Sequence, residues 1–161
     1  MTFKKIVYPV GFEEDGSDPA FAMATKLARE SRGTLYLIHV LPLPTPKTFP
    51  AEGVLLADRD RAEAMLQKLA MKVPVGVERK LIIKFGHTAP EIAKAALAAG
   101  AEAIVMGTHK RTGLSHLLLG SVAERVVQLA SCPVITLPLN ATDEVHDTAS
   151  QAAQIRNPDP A

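Results

Sequence analysis

Five short apolar runs punctuate the chain, separated by amphipathic stretches and polar loops. The first, Ile6-Val7-Tyr8-Pro9-Val10, is β-branched and apolar without alternation. That is the pattern of a strand covered on both faces, as in a parallel sheet. Pro9 has no N–H to give a ladder, which places it at the strand's end. A polar loop covers 11–17. Ser17-Asp18-Pro19 then starts a helix, with a capping residue followed by Pro near the first helical position. Ala20, Met23, Ala24, Leu27 and Ala28 have the spacing of one helical face. Gly33 is the expected C-cap.

A second strand is expected over 34–40. The following stretch, Leu41-Pro42-Leu43-Pro44-Thr45-Pro46 through Pro50, is a loop, because proline removes donors and fixes φ. The second helix carries Ala62, Met65, Leu66, Leu69 and Ala70 on one face and breaks at 73–76. The third strand is 77–84. Thr88-Ala89-Pro90-Glu91 has capping-box spacing, with Thr88 as N-cap. Ile92, Ala93, Ala96 and Leu97 form the buried face of that third helix, and Gly100 ends it. The fourth strand is 103–107. A fourth helix runs from near Ser121 to Ala130 with Val122, Val126 and Leu129 inward, and Val134-Ile135-Thr136-Leu137 is the last strand. From Asn140 the pattern dissolves, although Val145, Ala149, Ala152 and Ile155 keep a weak helical spacing. The expected organisation is one domain over 1–139 and a polar, frayed tail over 140–161. No internal repeat is visible.

Strand–helix alternation of this kind means an α/β fold: a parallel sheet with right-handed crossovers and helices on both faces. Ligands in such sheets sit beyond the carboxyl ends of the strands, where the winding reverses direction. The loops after strands one, two and four are therefore the places to look for chemistry.

Composition narrows the class. The chain has 161 residues, 47% hydrophobic and 22% charged, which is globular and not disordered. Its net charge of +1 gives no strong field toward nucleic acid or an anionic membrane. One cysteine, Cys132, excludes an internal disulfide framework and suits a reducing compartment. No apolar run approaches the ~18 residues of a membrane span, and the opening Met-Thr-Phe-Lys-Lys lacks the apolar stretch of a signal peptide. A cytoplasmic protein is expected.

The informative loop follows strand four. Gly107 ends the strand, a basic loop containing His109-Lys110-Arg111 follows, and Gly120-Ser121 opens a helix. A helix N-terminus offers unpaired N–H groups and partial positive charge, which suits a phosphate. Gly120 would allow close backbone approach, and the Ser121 hydroxyl could donate as well. A plain turn at Gly107 with Ser121 capping a helix explains the same residues, and chemistry alone leaves both readings open.

The chain resembles the universal stress protein family over roughly residues 3–138. The matching pieces are Lys5-Ile6-Val7-Tyr8-Pro9-Val10, Ile38-His39-Val40, Gly86, Ile104-Val105-Met106-Gly107, Gly113-Leu114 through Gly120-Ser121-Val122-Ala123-Glu124-Arg125-Val126, and Cys132-Pro133-Val134. The resemblance implies a Rossmann-like open sheet of five parallel strands in the order 3-2-1-4-5. It implies ATP or another adenine nucleotide as ligand, with Mg as its companion ion. Many members bind ATP through Gly-x-x-Gly-x9-Gly-Ser/Thr and an aspartate just after the first strand. Carried over residue by residue, the site would comprise Pro9, Gly11, Val40, Met106, Gly107, Lys110, Gly120, Ser121 and Val122, with Val40 and Met106 near an adenine ring. Two positions depart from the pattern. Lys110 stands at the second glycine, and Gly11 stands where the aspartate is expected. Lys110 either obstructs the approach or reaches a phosphate as a point charge. Glu13, Glu14 or Asp15 could replace the missing carboxylate only with a displaced loop.

The remaining polar residues point to no second chemistry. His39 reads as a packed strand histidine, His109 and His116 as solvated, and two histidines seven apart are too few ligands for a metal site. Lys110-Arg111 also reads as an ordinary solvated turn, Cys132 as a small buried residue, and the Pro-rich loop as a linker. No strand-end loop presents a nucleophile, base and orienter together, and slow ATP hydrolysis has no assignable base. A phosphoacceptor receiver needs an aspartate at a strand end, whereas strand three ends Ile83-Lys84-Phe85-Gly86. Two functional readings remain: a nucleotide-responsive stress protein that works by conformational change, and a nucleotide-free dimeric interaction module. In the implied strand order Val134-Ile135-Thr136-Leu137 is an uncharged edge, which invites a homodimer with these strands antiparallel across a twofold axis. Deleting residues 140–161 should leave cooperative urea unfolding intact, and its loss would show that the tail packs on the core.

Overall fold

The computed structural model describes residues 2–11, 16–43, 52–108 and 120–138. The tail 140–161, the loop residues 109–119 with His109, Lys110 and His116, the acidic residues Glu13, Glu14 and Asp15, and most of the Pro-rich loop lie outside the described residues. The elements run β1 (Lys5–Pro9), α1 (Pro19–Ser31), β2 (Thr34–Leu41), α2 (Glu52–Ala70), β3 (Glu78–Phe85), α3 (Thr88–Ala99), β4 (Ala103–Thr108), α4 (Ser121–Leu129) and β5 (Val134–Pro138). The five strands form one parallel sheet in the order β3-β2-β1-β4-β5, as the resemblance implies.

Alternation within the central strands feeds two cores. Ile6 and Tyr8 of β1, Leu35 and Leu37 of β2 and Val105 of β4 pack with Ala20, Phe21, Ala24 and Ala28 of α1 and with Leu66, Leu69 and Ala70 of α2. Val7 of β1, Tyr36, Ile38 and Val40 of β2 and Ile104 and Met106 of β4 pack with Ala89, Ile92, Ala95 and Ala96 of α3 and with Ala123 and Val126 of α4. Both faces of β1 are therefore dry, which is why its sequence shows no polar alternation. Pro9 closes β1: the Val10 N–H bonds to β2, so by alternation the missing N–H of Pro9 faces β4, where pairing ends at Val7. No helix among the described residues is long and apolar enough to cross a membrane.

Local signals were resolved by packing in several places. Asp18 is the N-cap of α1: its Oδ1 accepts the Phe21 N–H at 2.9 Å, while Oδ2 accepts the hydroxyl of buried Tyr8 at 2.7 Å. One carboxylate thus caps the helix and ties it to β1. Arg32, not Gly33, takes the left-handed position after α1, with φ 50°. Gly33 is needed for a different reason, since a Cβ there would stand 2.4 Å from the Lys4 carbonyl oxygen. The N-cap of α3 is His87 and not Thr88, and no capping box forms. Glu91 instead lies over Gly86, where an added Cβ would meet its Cγ at 2.8 Å, and its Oε1 accepts Lys94 Nζ at 2.9 Å. Leu97, expected inward, is 67% exposed, and Ala89 and Ala95 take the buried places. Likewise α4 buries Ala123 and Val126 and leaves Val122 and Leu129 about two-fifths exposed. Helices α3 and α4 share one core layer, and small residues at the contact let them approach closely.

Gly33→Ala should lower stability by about 2–3 kcal/mol, because the clash is with backbone that cannot rotate away. A urea midpoint unchanged from the parent would show that the Lys4–Thr34 junction yields easily.

Candidate nucleotide site

The winding reverses between β1 and β4, since β2 and β3 lie on one side of β1 and β4 and β5 on the other. A crevice beyond the carboxyl ends of these two strands is the expected ligand position. Its floor is apolar. Val40 near the end of β2 and Met106 near the end of β4 belong to the same buried cluster as Val7 of β1, which lies deeper in the sheet beside Tyr36 and Ile104. Pro9 is half-buried and shares the Val7 face by strand alternation. Val40 and Met106, expected near the base, therefore share one face of the sheet with Pro9 of the strand between theirs.

The start of α4 belongs to that face as well, because Ala123 and Val126 pack into the same cluster as Val40 and Met106. Gly120, and not Ser121, is the N-cap, with φ −57° and ψ 151°. Any residue adopts those angles, so conformation alone does not demand glycine there. What glycine contributes is the absence of a side chain at the helix entrance. Ser121 is the first helical residue and is exposed, followed by Val122, also exposed. The Glu124 N–H donates to the Gly120 carbonyl at 2.9 Å. First-turn N–H groups have no acceptor within their own helix, and the helix dipole adds positive potential.

On the other side of the crevice, Gly11 is half-buried and follows Val10. The Val10 N–H donates to Ile38 O at 2.8 Å, which extends the tie between the chain and β2 one residue past β1. The buried His39 ring places Nδ1 2.7 Å from Val10 O. A carbonyl only accepts, so Nδ1 carries the hydrogen. Gly107 is half-buried and pairs with Leu137, and Thr108 Oγ1 donates to Leu137 O at 3.3 Å, anchoring the end of β4 to β5. The structure thus brings Pro9, Gly11, Val40, Met106, Gly107, Gly120, Ser121 and Val122 to the carboxyl end of the sheet or the start of α4. Lys110 lies outside the described residues.

Among the described residues no group of three or more His, Cys, Asp or Glu is placed to hold a metal ion. Cys132 packs against the second core, and burial pushes its thiol above the ordinary value, which disfavours the thiolate a nucleophile needs. The contact of His39 with Val10 was not legible as a site feature. Its signal is a lone polar residue in an apolar strand, which must find a partner when buried.

The family model described as Universal stress protein family matches residues 2–138. The chain belongs to this family. Universal stress protein MJ0531 of Methanocaldococcus jannaschii is 36% identical over 145 residues, which cover 84% of this chain and 82% of that protein. The structure of a universal stress protein from Archaeoglobus fulgidus superposes with a TM-score of 0.61 at 26% identity, covering 82% of this chain and 96% of that one. A universal stress protein from Archaeoglobus fulgidus in complex with dAMP has the same fold, with a TM-score of 0.55 at 24% identity over 84% of this chain and 98% of the other.

Proposed function

We propose that this universal stress protein binds an adenine nucleotide in the β1–β4 crevice and acts through a conformational response, without a catalytic site. The observation that carries the reading is the shared face. An apolar floor of Val40, Pro9 and Met106 suits a purine ring, and the side-chain-free entrance of α4 at Gly120-Ser121 suits phosphates. The complex of its Archaeoglobus fulgidus relative with dAMP supports the choice of an adenine nucleotide. ATP is the form to test first, with Mg supplied as the counter-ion of its phosphates.

Mass spectrometry of nucleotide released from freshly purified protein tests occupancy. Calorimetry with ATP then tests the two departures from the family pattern. Gly11→Asp restores an acceptor for the nucleoside, and Lys110→Gly restores close approach to the phosphates. The two positions touch different parts of the ligand, so their effects should be roughly independent. The double variant should bind ATP at least about tenfold more tightly, equivalent to ~1.4 kcal/mol. Weaker binding by Lys110→Gly would make the lysine a phosphate ligand. If no variant binds and Ser121→Ala changes nothing, Gly120-Ser121 is a helix start and the interaction-module reading takes its place.

For assembly we propose a twofold dimer through β5. This edge strand carries no charged side chain. The Ile104 N–H donates to Pro133 O at 2.9 Å, so by ladder alternation Val134 and Thr136 turn their backbone polar groups to the open edge. Ile135 packs against the first core, so a charge there would test folding as much as assembly. Thr136→Pro removes an outward N–H and spares the β4 ladder. Sedimentation should show the parent dimeric at tens of micromolar and Thr136→Pro shifted to monomer; a monomeric parent would refute the dimer.

A further inference from the structure

Val10 is held from two sides. Its N–H continues the ladder to Ile38 O at 2.8 Å, and its carbonyl is met at 2.7 Å by Nδ1 of His39, a side chain 4% exposed. Beyond the Val10 N–H, the bonding between this strand exit and β2 is thus made by a side chain. The peptide group that follows is planar and trans, so its C=O and the next N–H point in opposite directions. Fixing the Val10 carbonyl toward the ring turns the Gly11 N–H away from it and sets the direction in which the chain leaves β1. Gly11 follows at the carboxyl end of β1, where the proposed nucleotide reading places the nucleoside. A lone histidine in a strand otherwise reading Thr-Leu-Tyr-Leu-Ile-His-Val-Leu is costly to bury unless bonded, and this bond spans 29 residues of sequence.

We propose that His39 is a positioning residue for the nucleotide site, holding the Val10–Gly11 peptide in the orientation that lets residue 11 face the ligand. The inference rests on the nucleotide reading above. It does not make His39 a ligand or a proton donor to one. Its action is on the backbone, and so on whatever side chain residue 11 carries.

The experiment is a double-mutant cycle between positions 39 and 11, read by ATP calorimetry, with amide exchange at Val10, whose N–H is bonded to Ile38 O, measured in parallel without nucleotide. His39→Leu removes the donor. His39→Asn keeps an N–H near the place of Nδ1, and His39→Gln moves it outward and serves where the leucine variant does not fold. Gly11→Asp should tighten ATP binding about fivefold or more in the parent and in His39→Asn, but less than about twofold in His39→Leu or His39→Gln, a non-additivity expected only of coupled positions. Exchange at the Val10 amide, which is bonded to Ile38 O, should rise about tenfold in the same two variants, while the β2 core amide of Leu37 stays protected. An equal gain from Gly11→Asp in every background would overturn the proposal, as would unchanged exchange at Val10 in a folded donor-less variant. If no variant binds ATP, the nucleotide reading fails, and the exchange measurement alone decides whether His39 positions the strand exit.

Discussion

Strand β1 is sandwiched between β2 and β4 and covered on both faces, and this double burial constrains everything else in the molecule. Ile6 and Tyr8 belong to one core and Val7 to the other, all fully buried. A strand so committed has no side chain to spare for chemistry along its length. Burial of each large apolar side chain contributes roughly 1.5–3 kcal/mol, so a polar residue in its middle would weaken both layers at once. Only at the carboxyl end, past the last ladder bond from Val10 N–H to Ile38 O and where the winding reverses, is the backbone released from the sheet.

The crevice combines a dry floor with a polar entrance, and the division follows from the same layering. Val40 and Met106 are core residues of the α3–α4 face near the ends of their strands, so a base seated there, as proposed, would meet packed apolar side chains. The start of α4 is held over that face by Ala123 and Val126, which fixes its dipole relative to the floor. Phosphate recognition through a helix entrance needs no cationic side chain. On the proposed reading, glycine in place of an aspartate at residue 11 leaves the frame of the site intact, because that frame is made by backbone and core. Loss of a charge-assisted hydrogen bond at residue 11 costs ~1.5–3 kcal/mol of affinity, but leaves the shape of the crevice untouched.

Tyr8, Asp18 and His39 show how the exit from β1 is secured. Tyr8 sends its hydroxyl from the core to the cap of α1, and His39 sends its ring N–H to the carbonyl that precedes Gly11. The loop between these anchors leaves from a fixed peptide and returns to a fixed helix start. Both anchors are buried or partly buried hydrogen bonds, where a lost partner costs more than at the surface.

Periodicity and breaker residues determined by themselves the number, type and order of the elements, and the motif residues located the segments that meet at the crevice. These are local properties: a dry strand, an amphipathic helix and a glycine or proline boundary each announce themselves within a few residues. The tertiary structure alone decided which stripe of α4 faces inward, where Ala123 displaced Val122 and Leu129 because a close helix contact favours small side chains. It also decided that Gly33 answers to the Lys4 carbonyl and not to a left-handed turn, and that Glu91 packs over Gly86 instead of closing a capping box. Above all, it decided the partner of His39. The ring and the Val10 carbonyl are 29 residues apart, and only the side-by-side packing of parallel strands brings them together.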